Sequence, residues 1–268
     1  MIGWTRTGLV LLCVTIASLI GIPVQIVALR TGIPHPGTIP RLFHGMARRL
    51  LGISVRVSGR PAADRPLLLV ANHVSWTDIV VLSSLAPMSF VAKSDMADWP
   101  VFGLFAKLQR SVFVERNRTR SSRKQANELG DRLAEGTVMV LFAEGTTSDG
   151  NIVMPFKSTL FGAAQAALVS DAGKRLEIET VHIQPVTIAY TRLQGMPMGR
   201  LHRTHAAWIG ESDLVPHLGA LIREGAMDVE VHFGEPVPFT VRSKRKNVAL
   251  EIEAVVRAKM AEILRSPH

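Results

Sequence analysis

The stretch "PLLLVANHVSWTDIVVL", residues 66–82, joins two apolar runs through a short polar segment. The run Leu67–Ala71 is aliphatic throughout and predicts a buried strand. The run Thr77–Leu85 predicts a helix, because Ser75 and Asp78 stand at the spacing of a helix-capping box. The stretch therefore predicts one strand–loop–helix unit of an α/β fold.

Two interpretations of His73 and Asp78 remain open on this pattern alone. In the first, Asp78 caps the helix start and His73 is an ordinary polar residue of the loop. In the second, the carboxylate turns toward the imidazole ring five residues earlier, holds one tautomer and leaves the other ring nitrogen to accept a proton from a hydroxyl group. Loops that follow parallel strands often bind ligands, so the second interpretation predicts a general base with its orienting carboxylate.

From residue 53 onward, short β-branched apolar runs alternate with longer helical patterns. Further strands are predicted at residues 53–58, 89–92, 112–115, 138–142, 181–189, 206–209 and 229–233, and further helices at residues 100–108, 121–134, 159–170, 214–223 and 248–264. We expect Pro185 to lie at a sheet edge or bulge, because proline cannot donate a ladder hydrogen bond. The alternation predicts one α/β domain over residues 53–268, with a mostly parallel sheet covered by helices.

The N-terminal segment predicts membrane attachment. Residues 8–29 carry no charge over 22 positions, and as a helix they are about 33 Å long, close to the thickness of a bilayer core. A cleaved signal peptide is the rival interpretation, although the apolar run is longer than usual and lacks a small-residue cleavage site. Because Pro23 can kink the helix, a shallow membrane helix and a full span both remain open.

A second, basic amphipathic helix is predicted at residues 39–52, either in the headgroup layer of a membrane or packed on the domain surface. We therefore expect residues 1–52 to form the membrane anchor. Arginine is more frequent after the apolar segment than before it: Arg6 precedes it, whereas Arg30, Arg41, Arg48 and Arg49 follow. By the positive-inside bias, we expect attachment to the cell inner membrane, with the rest of the chain facing the cytoplasm.

The composition limits the partners. The 268-residue chain has 31 Lys plus Arg against 22 Asp plus Glu, a net charge of +9, which favours an anionic membrane surface, a phosphorylated substrate or nucleic acid. Only 6% of the residues are aromatic, so a base-stacking surface and a nucleic-acid partner are not expected. The single cysteine, Cys13, excludes an intrachain disulfide and a cysteine-cluster metal site, and we expect no metal.

The stretch "QRSVFVERNR", residues 109–118, places Arg110 and Arg116 on either side of a short predicted strand. An arginine beside a strand end can bind a phosphate or carboxylate with both of its terminal nitrogens. A solvated basic sheet edge is the alternative, and the pattern does not choose between them.

The stretch "VMVLFAEGTTSDG", residues 138–150, is a buried-type strand that opens onto Glu144, Gly145 and Thr146. Backbone amides at such a turn can bind an anion or a polar headgroup, and the carboxylate can accept hydrogen bonds from a polyol. An ordinary turn with a solvated glutamate remains open. Lys157, just before the next predicted helix, is a further candidate for contact with an anion.

In their order along the chain, these stretches resemble the glycerolipid acyltransferases typified by lysophosphatidate (1-acyl-sn-glycerol-3-phosphate) acyltransferase. "NHVSWTD" matches the N-H-x-x-x-x-D block, "RSVFVER" is similar to G-x-x-F-x-x-R, "FAEGTTS" to F-P-E-G-T-x-S, and "IQPV" to V-x-P-V, all within residues 72–186. The resemblance implies that His73 is the general base and that Asp78 orients it. It places the acceptor-binding positions at Arg116, Glu144, Gly145 and Thr146.

The reaction implied by the resemblance moves a fatty acyl group from an acyl thioester to the free hydroxyl of a lysolipid. The thioester is acyl-CoA or acyl carrier protein, and no further cofactor is implied. The first acceptor to consider is 1-acyl-sn-glycerol-3-phosphate, whose acylation gives phosphatidic acid.

Three positions depart from the family pattern. Arg110 stands at the glycine position of the second block, Ala143 at the proline position of the third, and Thr147 where many phosphate-acceptor members carry arginine. The missing arginine disfavours a phosphomonoester acceptor unless Arg110 or Lys157 substitutes electrostatically. The runs "QRSVFVER" and "EGTTSDG" are also similar to acyltransferases that act on lyso-ornithine lipid, which is the alternative acceptor.

Two other classes of function remain as alternatives. A membrane lipid hydrolase that uses His73 is disfavoured because the sequence has no GxSxG elbow, and GxGxxG, Walker A and HExxH motifs are missing as well. A non-catalytic basic module that binds a membrane or nucleic acid accounts for the charge but leaves the four ordered blocks unexplained.

Overall fold

The computed structural model of the chain describes residues 2–114, 119–210 and 213–266. The helices are α1 (Ile2–Thr31), α2 (Thr38–Leu50), α3 (Thr77–Leu85), α4 (Phe102–Leu108), α5 (Thr119–Ala134), α6 (Gly162–Val169), α7 (Asp171–Arg175), α8 (Arg200–Arg203), α9 (Leu214–Glu224) and α10 (Arg245–Arg265). Short 3-10 helices cover Ser94–Asp98 and Ser158–Phe161. The strands are β1 (Ile53–Ser58), β2 (Leu67–Ala71), β3 (Ser89–Lys93), β4 (Val112–Val114), β5 (Met139–Phe142), β6 (Val181–Leu193), β7 (Met196–Pro197), β8 (Met227–Phe233) and β9 (Val237–Phe239).

The strands form one mixed sheet in the order β1-β8-β6-β2-β5-β3-β4, and β7 and β9 also pair with β6. From β6 to β4 all neighbours are parallel, whereas β8 runs antiparallel to β6 and parallel to β1. The predicted α/β class with a mostly parallel sheet is thus confirmed. The carboxyl ends of β2, β5 and β3 meet at one edge of the sheet, which is where ligands bind in such folds.

Both faces of the sheet are covered, so the fold has three layers. Strand β2 is buried along its whole length: Leu67, Leu69 and Ala71 pack into one core, and Leu68 and Val70 into the other. Helices α1, α3 and α9 contribute to the first core, and α5, α6 and α10 to the second. Burial on both faces requires a continuous apolar strand, and Leu67–Ala71 supplies it at the centre of the sheet.

The structure corrects two details of the predicted sheet. Residues 206–209 form no strand, since the Trp208 N–H bonds the carbonyl of Val74 at 2.9 Å and this segment folds over the loop after β2. Pro185 lies in the interior strand β6 and not at an edge. It is tolerated where the partner changes from β8 to β9, and its carbonyl accepts from Gly234 N–H at 2.9 Å.

Helix α1 lies against the domain near both of its ends. Near its start, the Arg6 guanidinium lies against Gly225 after α9 and donates to the Leu50 carbonyl of α2 at 3.4 Å. Near its end, Gln25 Nε2 donates to the Leu108 carbonyl of the domain at 2.7 Å and to the Pro36 carbonyl at 2.9 Å. The opposite face of α1 is apolar and exposed, and only 11% of the most apolar 18-residue segment of the helix is buried. The helix is long and apolar enough to cross a membrane, and its composition fits the predicted anchor.

Candidate active site

His73 and Asp78 are held together at the carboxyl end of β2. The His73 Nδ1 and Asp78 Oδ2 atoms are 2.8 Å apart. The two residues come this close because only a short loop separates the end of β2 at Ala71 from the start of α3 at Thr77. The His73 ring stacks on Phe142, the last residue of β5, with ring centroids 3.8 Å apart. With Nδ1 engaged by the carboxylate, Nε2 is the nitrogen left for a substrate proton.

Asp78 is fully buried and is surrounded by hydrogen-bond donors. Its Oδ2 also accepts from the backbone amides of Val74 at 2.7 Å and Ser75 at 3.0 Å. Its Oδ1 accepts from the Tyr190 hydroxyl on β6 at 2.8 Å. The carboxylate thus bonds two amides of the loop before α3 and the His73 ring together, whereas no side chain of the described residues caps the first turn of α3. Such a pair can stabilise an imidazolium while His73 accepts a proton.

The main chain of His73 is held by the loop after β5. Its N–H donates to Glu144 Oε1 at 3.1 Å, and its carbonyl accepts from the Ser148 amide at 2.8 Å and the Ser148 hydroxyl at 3.1 Å. The neighbouring Asn72 side chain both donates to and accepts from the Ile188 backbone, at 2.9 Å each. The turn that carries His73 is therefore attached to β5 and β6 as well as to its own strand.

Glu144 lies beneath the site rather than in its opening. It is 1% exposed, and burial raises its pKa from 4.5 to about 8, more than the backbone amides of His73 and Met154 lower it. Among the described residues its Oε2 has no hydrogen-bond partner. A neutral Glu144 is therefore expected near pH 7, where it acts on the geometry of His73.

A cleft of about 320 Å³ opens beside His73. Its aromatic lining is Trp76, Phe90, Trp99, Phe142 and Trp208; its polar and backbone lining includes Lys93, Gly145, Thr146 and Thr147. Within residues 2–114, 119–210 and 213–266, no group of three His, Cys, Asp or Glu side chains could hold a metal ion. The cleft has a largely apolar lining, with the His73 ring at its wall.

The structure brings some of the predicted site residues together and separates others. Gly145 and Thr146 line the cleft with His73. Lys157 is exposed and does not line it, and its N–H bonds the Ala143 carbonyl at 2.8 Å. Arg110 precedes β4, so it lies at the opposite edge of the sheet, where it lines a different cavity. Arg116 lies outside the described residues.

Thr147 contacts the segment that closes one side of the cleft. Its hydroxyl donates to the Trp208 carbonyl, and the Trp208 amide bonds the loop after β2. The position that carries arginine in many phosphate-acceptor members is therefore occupied here by a neutral side chain that holds Trp208.

Sequence reasoning missed several residues of the site. Tyr190, Trp76, Trp99, Trp208 and Lys93 were not singled out, although they contact Asp78 or line the cleft. One signal was available: Tyr190 is the only tyrosine of the chain, and it falls in an otherwise aliphatic strand. Buried tyrosine hydroxyls usually have a hydrogen-bond partner, which makes such a residue informative.

The fold and the paired His73 and Asp78 define a lipid acyltransferase. Residues 54–189 match the acyltransferase family, and the chain belongs to it. A lyso-ornithine lipid O-acyltransferase from Rhizobium meliloti is 49% identical over 266 residues, covering 99% of this chain and 89% of the relative. A 1-acyl-sn-glycerol-3-phosphate acyltransferase from Neisseria gonorrhoeae is 39% identical over 108 residues, covering 40% of this chain and 42% of the relative.

The architecture also matches a solved structure. The 1-acyl-sn-glycerophosphate acyltransferase from Thermotoga maritima superposes with a TM-score of 0.59 at 23% identity, covering 87% of this chain and 81% of that one. At this identity the likeness concerns the fold. Together the matches confirm the predicted family and class of enzyme: the chain is an acyltransferase that acts on lysolipids.

Proposed function

We propose that this chain transfers a fatty acyl group from an acyl thioester to the hydroxyl of lyso-ornithine lipid. The observation that supports this acceptor is the neutral Thr147 in the cleft lining, at the position where an arginine favours a phosphomonoester. The similarity to the Rhizobium meliloti relative along 99% of the chain supports the same acceptor. The donor is acyl-CoA or acyl carrier protein, and no other cofactor enters the proposal.

In the proposed mechanism His73 is the general base. Its Nε2 accepts the acceptor's hydroxyl proton while the oxygen attacks the thioester carbonyl, and Asp78 stabilises the imidazolium that forms. The tetrahedral intermediate then expels the thiolate, which takes the proton from His73 to leave as a thiol. A positioned base contributes roughly 10²–10⁴-fold, and holding both lipids beside it contributes further.

Lysophosphatidate is the second candidate acceptor, and it is the one that sequence reasoning placed first. The ordered blocks and the similarity to the Neisseria gonorrhoeae relative favour it. That similarity covers 40% of the chain, whereas the lyso-ornithine relative aligns along nearly all of it. Of the cations proposed as substitutes for the missing arginine, neither Arg110 nor Lys157 lines the cleft. We therefore rank lyso-ornithine lipid first.

We further propose that residues 1–52 hold the enzyme on the cytoplasmic face of the inner membrane. Because α1 contacts the domain near both ends, a perpendicular span would place the domain beside the bilayer core. A helix that lies along the membrane surface, with its exposed apolar face in the lipid, keeps the domain in water. This arrangement also brings the cleft to a lipid whose acyl chains stay in the bilayer.

An acyl-transfer assay in phospholipid vesicles tests the proposed function, with lyso-ornithine lipid and lysophosphatidate offered separately at equal surface density. We expect faster acylation of lyso-ornithine lipid and loss of activity in His73→Ala. The exposed His202 on α8 supplies the control, His202→Ala, which should stay active. Full activity of a folded His73→Ala variant would refute the mechanism. Faster acylation of lysophosphatidate by the wild type would refute the acceptor.

A further inference from the structure

An exposed ion pair stands at the cleft and has no part in the mechanism above. Lys93, the last residue of β3, lines the cleft, and its Nζ lies 2.5 Å from Asp95 Oδ2 on the following 3-10 helix. The two side chains are 57% and 63% exposed. An ion pair in solvent is weak and can exchange partners with an incoming charged group.

Two tryptophans lie in the same cleft. The rings of Trp99 and Trp208 meet edge to face, with centroids 6.0 Å apart at an angle of 87°. Thr147 helps to place Trp208 through the hydrogen bond to its carbonyl. The face of an indole ring attracts an ammonium group, and tryptophan is the most effective aromatic residue in this role.

We propose that the ion pair of Lys93 and Asp95, together with Trp99 and Trp208, binds the zwitterionic headgroup of the acceptor; this rests on the proposed function. An ornithine whose α-nitrogen is acylated keeps one carboxylate and one side-chain ammonium. The carboxylate exchanges onto Lys93, and the ammonium is shared between Asp95 and the indole faces. Each charge of the protein pair thus gains an opposite charge from the ligand.

A phosphomonoester does not suit this subsite. It carries only negative charge, which Lys93 attracts but Asp95 repels at close range. It has no ammonium for the indole rings, and Thr147 offers it no cation. The subsite therefore discriminates between the two candidate acceptors, because the Asp95 carboxylate repels the phosphate of lysophosphatidate.

The test is steady-state kinetics of Asp95→Asn and Lys93→Gln in vesicles with each acceptor. The matched control is Asp98→Asn, which changes an exposed carboxylate on the same 3-10 helix that is not part of the ion pair with Lys93. We expect each of the first two variants to raise KM for lyso-ornithine lipid about tenfold with kcat little changed, a typical loss for one charged contact. With lysophosphatidate, Asp95→Asn should lower KM, and Asp98→Asn should match the wild type with both acceptors.

Two outcomes would overturn the inference while leaving the proposed function intact. In one, Lys93→Gln and Asp95→Asn behave like Asp98→Asn with lyso-ornithine lipid. In the other, they lose activity equally with both acceptors, which would indicate a purely structural role. A wild-type enzyme that does not acylate lyso-ornithine lipid would instead refute the proposed function, so the wild-type assay separates the two failures.

Discussion

Replacing Glu144 by glutamine changes how the stability of the protein depends on pH. The glutamine amide oxygen can still accept the His73 N–H bond now made by Glu144 Oε1, so the geometry is retained. What the substitution removes is a titrating group. Burial raises the pKa of Glu144 from 4.5 to about 8, so the folded protein holds this proton more tightly than the unfolded chain does.

The sign follows from proton linkage. Between about pH 4.5 and about pH 8 the unfolded chain releases the Glu144 proton while the folded protein keeps it, so the free energy of unfolding falls as pH rises through this window. At 1.36 kcal/mol per pKa unit, the loss is about 3 kcal/mol by pH 7 and on the order of 5 kcal/mol by pH 9. The free energy of unfolding of Glu144→Gln should not show this fall, so the variant should become more stable relative to the wild type by the same amount as pH rises.

The measurement is denaturant-induced unfolding of both proteins in the same detergent at about pH 5, 7 and 9. Taking the difference between the two proteins at each pH cancels the titration of every other group. If the two curves of unfolding free energy against pH run parallel, the elevated pKa and the burial argument behind it are wrong. Acyl-transfer activity at pH 7 should survive the substitution, because Glu144 is neutral there in our interpretation.

Three further changes test other parts of the structure. Asp78→Asn should lower kcat/KM about 10²–10⁴-fold, because the imidazolium loses its counter-charge; unchanged kinetics would contradict the paired role. Tyr190→Phe removes a buried hydrogen-bond donor to Asp78, and we expect the free energy of unfolding, measured by chemical denaturation, to fall by about 1.5–3 kcal/mol. An unchanged free energy of unfolding would mean that the hydrogen bond is not formed. Leu12→Glu combined with Leu19→Glu, at positions 56% and 70% exposed on α1, should shift the protein from sedimenting vesicles to the supernatant. Leu250→Glu on α10, at a position 57% exposed, is the matched control and should not; equal release by both would argue against α1 as the membrane contact.

The sequence predicts those parts of the site that depend on local spacing. His73 and Asp78 are five residues apart in one strand–loop–helix unit, so their pairing follows from the backbone path. Tyr190 contacts Asp78 across 112 positions, through the pairing of β6 with β2. That register depends on the whole sheet, and no short pattern contains it.

Arg110 shows an error that sheet geometry explains. An arginine beside a strand can contact the substrate only if it lies at the edge of the sheet that carries the site. Because Arg110 precedes a parallel strand and His73 follows one, they belong to opposite edges of the sheet. The strand predicted at residues 206–209 is wrong for another reason. Ala-Ala-Trp-Ile has the composition of a short buried strand, but its backbone bonds the loop after β2 instead of a neighbouring strand.

The docking of α1 also bears on how the chain is made. This helix is synthesised before α9, yet the Arg6 guanidinium near its start lies against Gly225 at the end of α9. At ordinary elongation rates, the end of α9 emerges from the ribosome roughly 10–40 s after α1. During that interval the apolar helix has a bilayer to enter but no finished domain to pack against. We therefore expect the apolar helix to reach a lipid surface before the sheet closes, so that lipid would be its first folding partner.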